Sequence, residues 1–347
     1  MQPAEMLEGL TLPGNWMVLQ KAPRKPTATG GHFSVGYIVQ NAEGLKGFLK
    51  AMDYTAAFMN HEPHVVLQQM TNAYNFEKNV CAKCRNFDLR RVVHAIGSGT
   101  FQVDPRSVFS KVEYLIFELA EGDIRAHLDA QAIFDVAFAL RTLHNIATGL
   151  AQLHQAEIAH QDLKPSNVLV FQKDSGSKIG DFGRAWAKDF PAPHDGLPVA
   201  GDLGYAPLEL LYGDVATEVK KRRYGCDAYH LGSMAVFLFT RSHMNALINT
   251  FLAIEHRAFI WGGTFAEVLP YLQAAFAQAL CAFGAHICES LRSELTQVVA
   301  ELCEPDPARR GHPLNRQGHL NQFCLHRYIS KFNLLAYRVE LNLIGSK

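Results

Sequence analysis

An excess of charge of either sign is the first thing this sequence lacks. Lysine plus arginine and aspartate plus glutamate both number 33 in 347 residues, so the formal net charge is zero. No bulk attraction to nucleic acid or to a membrane surface is expected, and any charged ligand must be held locally. The opening stretch MQPAEMLEGLTLPGNW has neither a basic start nor a long apolar run, and no secretory signal is expected from it. Val268 to Cys288 is uncharged and has the length of a membrane span, but it contains Pro270, Gln273, Gln278, Gly284 and His286, as a buried helical pair would. Cysteine is sparse: seven residues, an odd number, with one CxxC at Cys81 and Cys84 and no second pair at that spacing. That argues against a disulfide framework and a zinc ribbon, and for reduced buried thiols in a cytoplasmic protein. Neither repeats nor low-complexity tracts appear.

What is present is a globular composition, with 48% of residues hydrophobic and 19% charged. Its character changes near residue 120. Before it, WMVLQ, FSVGYIV, GFLKAM, VVHAIG and YLIFEL alternate with turn residues and read as five strands of an antiparallel sheet. Between the third and fourth, Val66, Met70, Ala73, Phe76, Val80 and Cys84 recur at steps of three and four, which predicts a helix over 63–86. After residue 125 the period is helical over 132–155, 229–240, 264–282 and 291–303, with strands only at VLVF (168–171) and KIGDF (178–182). A small β lobe followed by a larger α lobe is the implied architecture.

The chemistry-bearing residues lie around those two strands. The segment from His160 to Asn167 reads HQDLKPSN, and KIGDFG begins eleven residues after Asn167. Phosphoryl transfer needs a carboxylate beside the attacking hydroxyl, a cation on the transferring phosphate and oxygen ligands for magnesium. Asp162, Lys164, Asn167 and Asp181 supply that set.

On these motifs the chain resembles the eukaryotic-type protein kinase family, from about Trp16 to about Arg310. The resemblance implies an α+β bilobal fold, with residues 1–120 as the ATP-binding β lobe and 121–347 as the catalytic α lobe, extended by helix from about 313. It implies ATP and Mg2+ as cofactors, Asp162 as the base, Lys164 on the γ-phosphate, and Asn167 and Asp181 as metal ligands. Lys164, two residues after the aspartate, favours a protein Ser or Thr acceptor. In the phosphate-covering loop Gly30, Gly31, Phe33 and Ser34 are the implied contacts, with Thr29 and Ser34 standing where glycines are usual. Lys50 of GFLKAM matches the lysine that meets the phosphates and a helix carboxylate; Glu77 is the chosen partner and Glu62 the alternative. YLIFELAEGD resembles the hinge, with adenine on the backbone of Glu118 and Ala120 and with Phe117 behind it. Glu209 matches the carboxylate that pairs with Arg310, and Asp227 the residue that anchors the catalytic loop.

Two departures bear on control. Gln161 replaces the arginine that receives an activating phosphate, and 184–204 contains no Ser, Thr or Tyr, with Tyr205 the first hydroxyl. Loop phosphorylation is therefore not expected. Trp186, Phe190 and the prolines at 191, 193 and 198 are the expected anchors of that loop. Asp202 stands in place of a threonine, where a carboxylate can reach Lys164. Three readings follow: an ATP- and Mg-dependent protein Ser/Thr kinase, a pseudokinase serving as a binding module, or a kinase of small-molecule hydroxyls. The C-terminal FCLHRYISKFNLLAYRVELNLI is amphipathic and reads as a helix packed on the α lobe, ahead of a helix for a regulatory partner.

Overall fold

The computed structural model describes residues 2–23, 34–107, 110–171, 176–317 and 321–341. Its first part is an antiparallel sheet in the order β1-β2-β3-β4-β6-β5. The strands are β1 (Thr11–Leu12), β2 (Trp16–Lys21), β3 (Ser34–Gln40), β4 (Lys46–Met52), β5 (Ala95–Gln102) and β6 (Lys111–Glu118). Alternation sorts the two faces. Val35, Tyr37 and Val39 of β3 and Leu49 and Ala51 of β4 enter a core closed by Leu7, Val112, Tyr114 and Ile116. The opposite face carries Phe48 and Lys50 toward the second part of the chain.

The sheet departs from the five expected strands at two places. β1 is only two residues long, too short to show an alternation of its own. The fourth expected strand, VVHAIG, is displaced: pairing begins at Ala95 and runs through Gly97 and Gly99 to Gln102. Val92 and Val93 are buried against Ile179 instead. GSGTF looks like a turn in composition, yet a Cβ at Gly99 would lie 2.5 Å from the Tyr114 hydroxyl oxygen, so the glycine is there because an aromatic side chain crosses the strand.

α1 (Thr55–Phe58) precedes α2 (Pro63–Asn86), whose bounds match the periodicity. α2 buries Met70, Tyr74, Phe76, Glu77, Val80, Cys81 and Cys84, a face turned slightly from the expected one because Val66 and Ala73 are only half-buried. Beyond β7 (Gly122–Asp123) come α3 (Ile124–Ala130) and α4 (Val136–Gln155); the latter starts later than expected because the Asp135 carboxylate accepts the Phe138 N–H and caps it there. Short strands follow, β8 (Ile158–Ala159), β9 (Val168–Phe171), β10 (Gly176–Ile179) and β11 (Trp186–Ala187). KIGDF therefore stops being strand at Ile179, and Asp181 lies in the loop after it.

The remaining helices are α5 (Leu208–Leu211), α6 (Gly225–Thr240), α7 (Met244–Phe251), α8 (Phe265–Ala285), α9 (Glu289–Leu302), α10 (Pro313–Arg316) and α11 (His326–Glu340). α6 is buried along nearly its whole length and packs on α4 and α9. α8 is long and apolar enough to cross a membrane, but it lies between α7 and α9 with Val268, Leu272, Ala275, Phe276, Ala279 and Phe283 buried. α11 lies along α4, and Arg141 of α4 donates to both carboxylate oxygens of Glu340 and to Asn333.

One ion pair ties the far end of this lobe together. Arg310, with no solvent exposure, makes a two-pronged bond to Glu209 at 2.7 Å on each side. Replacing one member strands the other charge in a dry interior. Arg310→Leu should therefore cost about 3–5 kcal/mol in urea unfolding, and a loss below about 1 kcal/mol, the scale of an exposed pair, would show that the site admits water.

Candidate active site

The segment 160–167 is held by α6. The Asp227 carboxylate, fully buried, accepts the His160 N–H at 2.9 Å and the Gln161 N–H at 2.8 Å and meets His154 Nε2 at 2.8 Å. Burial pushes its carboxyl up, but the His154 contact, the neighbouring His160 and the Gln161 N–H outweigh that and leave it below the usual range. Gln161 takes a left-handed conformation, φ 61°. The His160 ring turns inward, packs edge-on against Phe182 and meets the Gly180 carbonyl at 3.0 Å, so this loop and the Asp181 loop are joined through it.

Asp162 follows in a crowded, polar pocket. Its Oδ1 accepts the Asp202 N–H at 2.8 Å, and its Oδ2 lies 3.1 Å from Lys164 Nζ. The Asn167 amide donates to the Asp162 carbonyl at 2.7 Å and to Oδ2 at 3.2 Å. Burial raises the Asp162 carboxyl above the ordinary value, with Lys164 opposing. Lys164 also lies 3.5 Å from Asp202 Oδ2, so it stands between two carboxylates. Gly201 closes this arrangement: a Cβ there would be 2.4 Å from the Gln161 carbonyl and 2.7 Å from Asp162 Oδ1.

The sheet supplies the opposite wall. Lys50 Nζ lies 2.8 and 2.9 Å from the two Glu77 oxygens and 3.7 Å from Asp181 Oδ1. Burial would lower the lysine, but Glu77 and Asp181 reverse the sign and hold it protonated. Asp181, φ 64°, keeps 45% of its side chain exposed toward the cleft, and Lys50 with His160 leaves its carboxyl below the ordinary value against the opposing effect of burial. Glu62, the alternative partner, is exposed at the start of α2, roughly 22 Å along the helix from Glu77.

Between the lobes is a cavity of about 540 Å³, within the roughly 300–1,000 Å³ of small-molecule sites. Ser34, Lys50, Glu77, Glu118, Ala120, Lys164, Asn167 and Asp181 all line it, and Phe117 does too. Gly30, Gly31 and Phe33 lie outside the described residues. The Glu118 N–H is spent on the His94 carbonyl, and its carboxylate is held by Lys178 at 2.8 and 3.0 Å. Sequence reasoning missed Phe48 and Leu169 on the cavity wall. Phe48 was findable, since it lies two positions from Lys50 in one strand and shares its face.

Sequence reasoning also missed the partner of Gln161. The Gln161 amide donates to the Arg184 carbonyl at 3.1 Å and its carbonyl accepts from buried Arg223, which in turn lies 2.9 Å from Asp195 Oδ1. The prolines at 191, 193 and 198 are exposed and anchor nothing; Ala192 and His194 are the buried residues, and the His194 ring meets the Ala185 carbonyl at 3.0 Å. Trp186 and Phe190 pack on the core as expected.

The fold and this site define a class, and comparison with known proteins agrees. A family model of the protein kinase domain matches residues 68–329. The chain belongs to the protein kinase family. It is 33% identical over 136 residues to a calcium and calcium/calmodulin-dependent serine/threonine-protein kinase of Medicago truncatula, covering 38% of this chain and 26% of that protein. It is 26% identical over 241 residues to a probable serine/threonine-protein kinase of Bifidobacterium longum, covering 69% of this chain and 27% of the other. An Aurora kinase of Debaryomyces hansenii is 30% identical over 132 residues, 38% of this chain and 29% of that one. The matches thus span about a quarter of the length of these curated relatives. The family match begins after Lys50, so that residue's place rests on the ion pair with Glu77.

If Lys50 and Glu77 act as a unit, their losses overlap. Lys50→Met, Glu77→Gln and the double variant, compared by urea unfolding, should show a coupling of about 1–3 kcal/mol. Additivity within about 0.5 kcal/mol would mean that the two charges are independent.

Proposed function

We propose that this chain transfers the γ-phosphoryl group of Mg-ATP to Ser or Thr hydroxyls of protein substrates, in the cytoplasm, without needing phosphorylation of its own loop. The observation that carries the reading is the meeting of Lys164 and Asn167 from one lobe with Lys50 and Glu77 from the other around one cavity, with the Asp162 carboxylate 3.1 Å from Lys164 behind its wall. Asp162, with its raised carboxyl, orients and accepts the acceptor proton, and Lys164 faces the transferring phosphoryl group. Lys50, held protonated, is placed for the remaining phosphates. The seven cysteines are all free thiols, which suits a reducing compartment.

The donor set fits magnesium. Asn167 and Asp181 offer hard oxygens, and Asp181 is open to the cleft. Among the described residues no three His, Cys, Asp or Glu side chains converge to hold a metal. That suits an ion which takes one or two protein oxygens and draws the rest from phosphate and water. When bound it neutralises charge on the β and γ phosphates. Asn167 is already pinned by its amide, so its Oδ1, which accepts the Ser166 hydroxyl at 3.3 Å and keeps a second lone pair, is the atom that would face the ion.

Independence from loop phosphorylation is supported by the network at Gln161. A phosphate commonly orders such a loop by pairing with a cation beside the catalytic aspartate. Here the Asp195 carboxylate meets Arg223, and Arg223 meets Gln161, so a carboxylate already fills that part. Tyr205, the first hydroxyl after the loop, is buried.

Asp162→Asn should leave Mg-ATP affinity nearly unchanged and lower turnover on a protein substrate by roughly 10²–10⁴. A rate within twofold of the unmodified chain would remove Asp162 from the mechanism.

Phosphatase treatment should leave the rate unchanged, whereas Asp195→Asn should lower kcat by about tenfold by releasing Arg223, an effect of the 1–3 kcal/mol size of a charged hydrogen bond. A rate lost to phosphatase, with a phosphosite in 184–205, would restore conventional control.

A further inference from the structure

Arg125 stands in the first turn of α3, two residues after Asp123 on the cavity rim. It is half-buried, and its contacts are neutral: the guanidinium lies 6.0 Å from the centre of the buried Phe237 ring on α6 and beside the Tyr205 hydroxyl. Burial pushes Tyr205 up to about 12, with Arg125 opposing, so that hydroxyl stays uncharged. The Asp123 carboxylate turns back to accept the Ala126 N–H at 2.8 Å. Among the described residues no carboxylate forms an ion pair with Arg125, whereas the buried arginines Arg223 and Arg310 each have one. Arg241, one turn beyond Phe237, is exposed and donates to the Leu128 carbonyl of α3 at 3.1 Å. The seam between α3 and α6 thus carries two guanidinium groups whose partners are neutral.

That seam borders the approach to Asp162. Lys164 and Asn167 stand between Asp162 and the cavity, so a protein hydroxyl comes to the carboxylate along the stretch 201–205. In this stretch the Asp202 N–H binds Asp162, and the Asp202 carboxylate is used by the Gly204 N–H at 2.9 Å and by Lys164 at 3.5 Å. Leu203 is exposed, and Tyr205, three residues past Asp202, reaches Arg125. The negative charge of Asp202 is therefore answered and the positive charge of Arg125 is not.

We infer that Arg125 receives a carboxylate or phosphate group of the protein substrate, a few residues from the acceptor hydroxyl, and so selects acidic sequences around it. The inference rests on the phosphoryl-transfer reading above and adds to it the class of sequence accepted. A guanidinium half out of water without a counter-charge is costly, and its planar fork fits either anion through two parallel bonds. Phe237 beneath and Tyr205 beside it fix where the fork stands, and Arg241 adds to the positive field along the same seam.

The test is a peptide library with a central Ser or Thr, each flanking position fixed in turn as Asp, Glu, phosphoserine, Ala or Lys, labelled by the full chain with γ-labelled ATP and Mg2+. At one or two positions Asp or Glu should be favoured over Ala roughly tenfold in kcat/KM, the scale of one charge-assisted hydrogen bond near water. Phosphoserine far ahead of Glu at those positions would identify a previously phosphorylated substrate as the source of the anion; parity would identify an acidic side chain. Thermal unfolding confirms that each variant is folded. Arg125→Gln should bring the ratio of acidic to alanine peptide to within about twofold of one, and Arg125→Glu should favour Lys at the same positions. Arg125→Lys should keep a reduced preference, which separates the charge from packing against Tyr205. Raising the salt concentration should shrink the preference of the unmutated chain, a readout that needs no variant. An acidic preference unchanged in Arg125→Gln, or a preference for Lys in the unmutated chain, would overturn the inference and leave the transfer reading intact. Absence of label from every peptide and from a protein mixture would overturn that reading, and the inference with it.

Discussion

The buried carboxylate of Asp227 is the constraint on which the rest of the site depends. An ionised group with no solvent contact is tolerable only when its lone pairs are filled, and here two backbone N–H groups and an imidazole fill them. Those two N–H groups belong to His160 and Gln161, so satisfying the charge also fixes the path of the loop. Gln161 is thereby held left-handed, His160 is turned toward the Gly180 carbonyl, and Asp162 emerges beside Lys164 and Asn167. A helix that is almost wholly core thus sets the geometry of a polar site on its edge.

The second half of the site reaches the cleft by a different route. Strand alternation brings Lys50 to the face opposite the sheet core, and α2 brings Glu77 to it. The two lobes are joined directly as well, by Lys50 with Asp181, Lys83 with Asp189 and Lys178 with Glu118. The Lys50–Glu77 pair is consequently a position gauge: any turn of α2 about its axis would separate the charges. On the large-lobe side Arg223 plays a comparable part, since it joins the loop after Asp181 to the 160–167 segment through Asp195 and Gln161.

Much of this was legible in the residues. The helix over 63–86, the VLVF strand and the HQDLKPSN and KIGDFG clusters are local patterns, and local patterns survive folding when packing reinforces them. The choice of Glu77 over Glu62 was also within reach, because only one of them stands on the buried face of its helix. What stayed hidden was non-local. Gly97 and Gly99 look like turn residues until Ile116 and Tyr114 are seen lying across them. Arg223 lies 62 residues from Gln161, and nothing in a stretch reading KKRRY says that one arginine turns inward. The prolines of the loop stiffen its backbone, but their exposure follows from what packs beneath them, which no local pattern carries.

Transfer of a phosphoryl group to protein hydroxyls at this cavity is the proposed function. Incubating the full chain with γ-labelled ATP, Mg2+ and a protein mixture, then hydrolysing the products to amino acids, measures it directly. Label is expected on phosphoserine and phosphothreonine, and it should disappear when Mg2+ is chelated. Label confined to a small molecule or to phosphotyrosine, or no transfer by a chain that binds Mg-ATP, would contradict it.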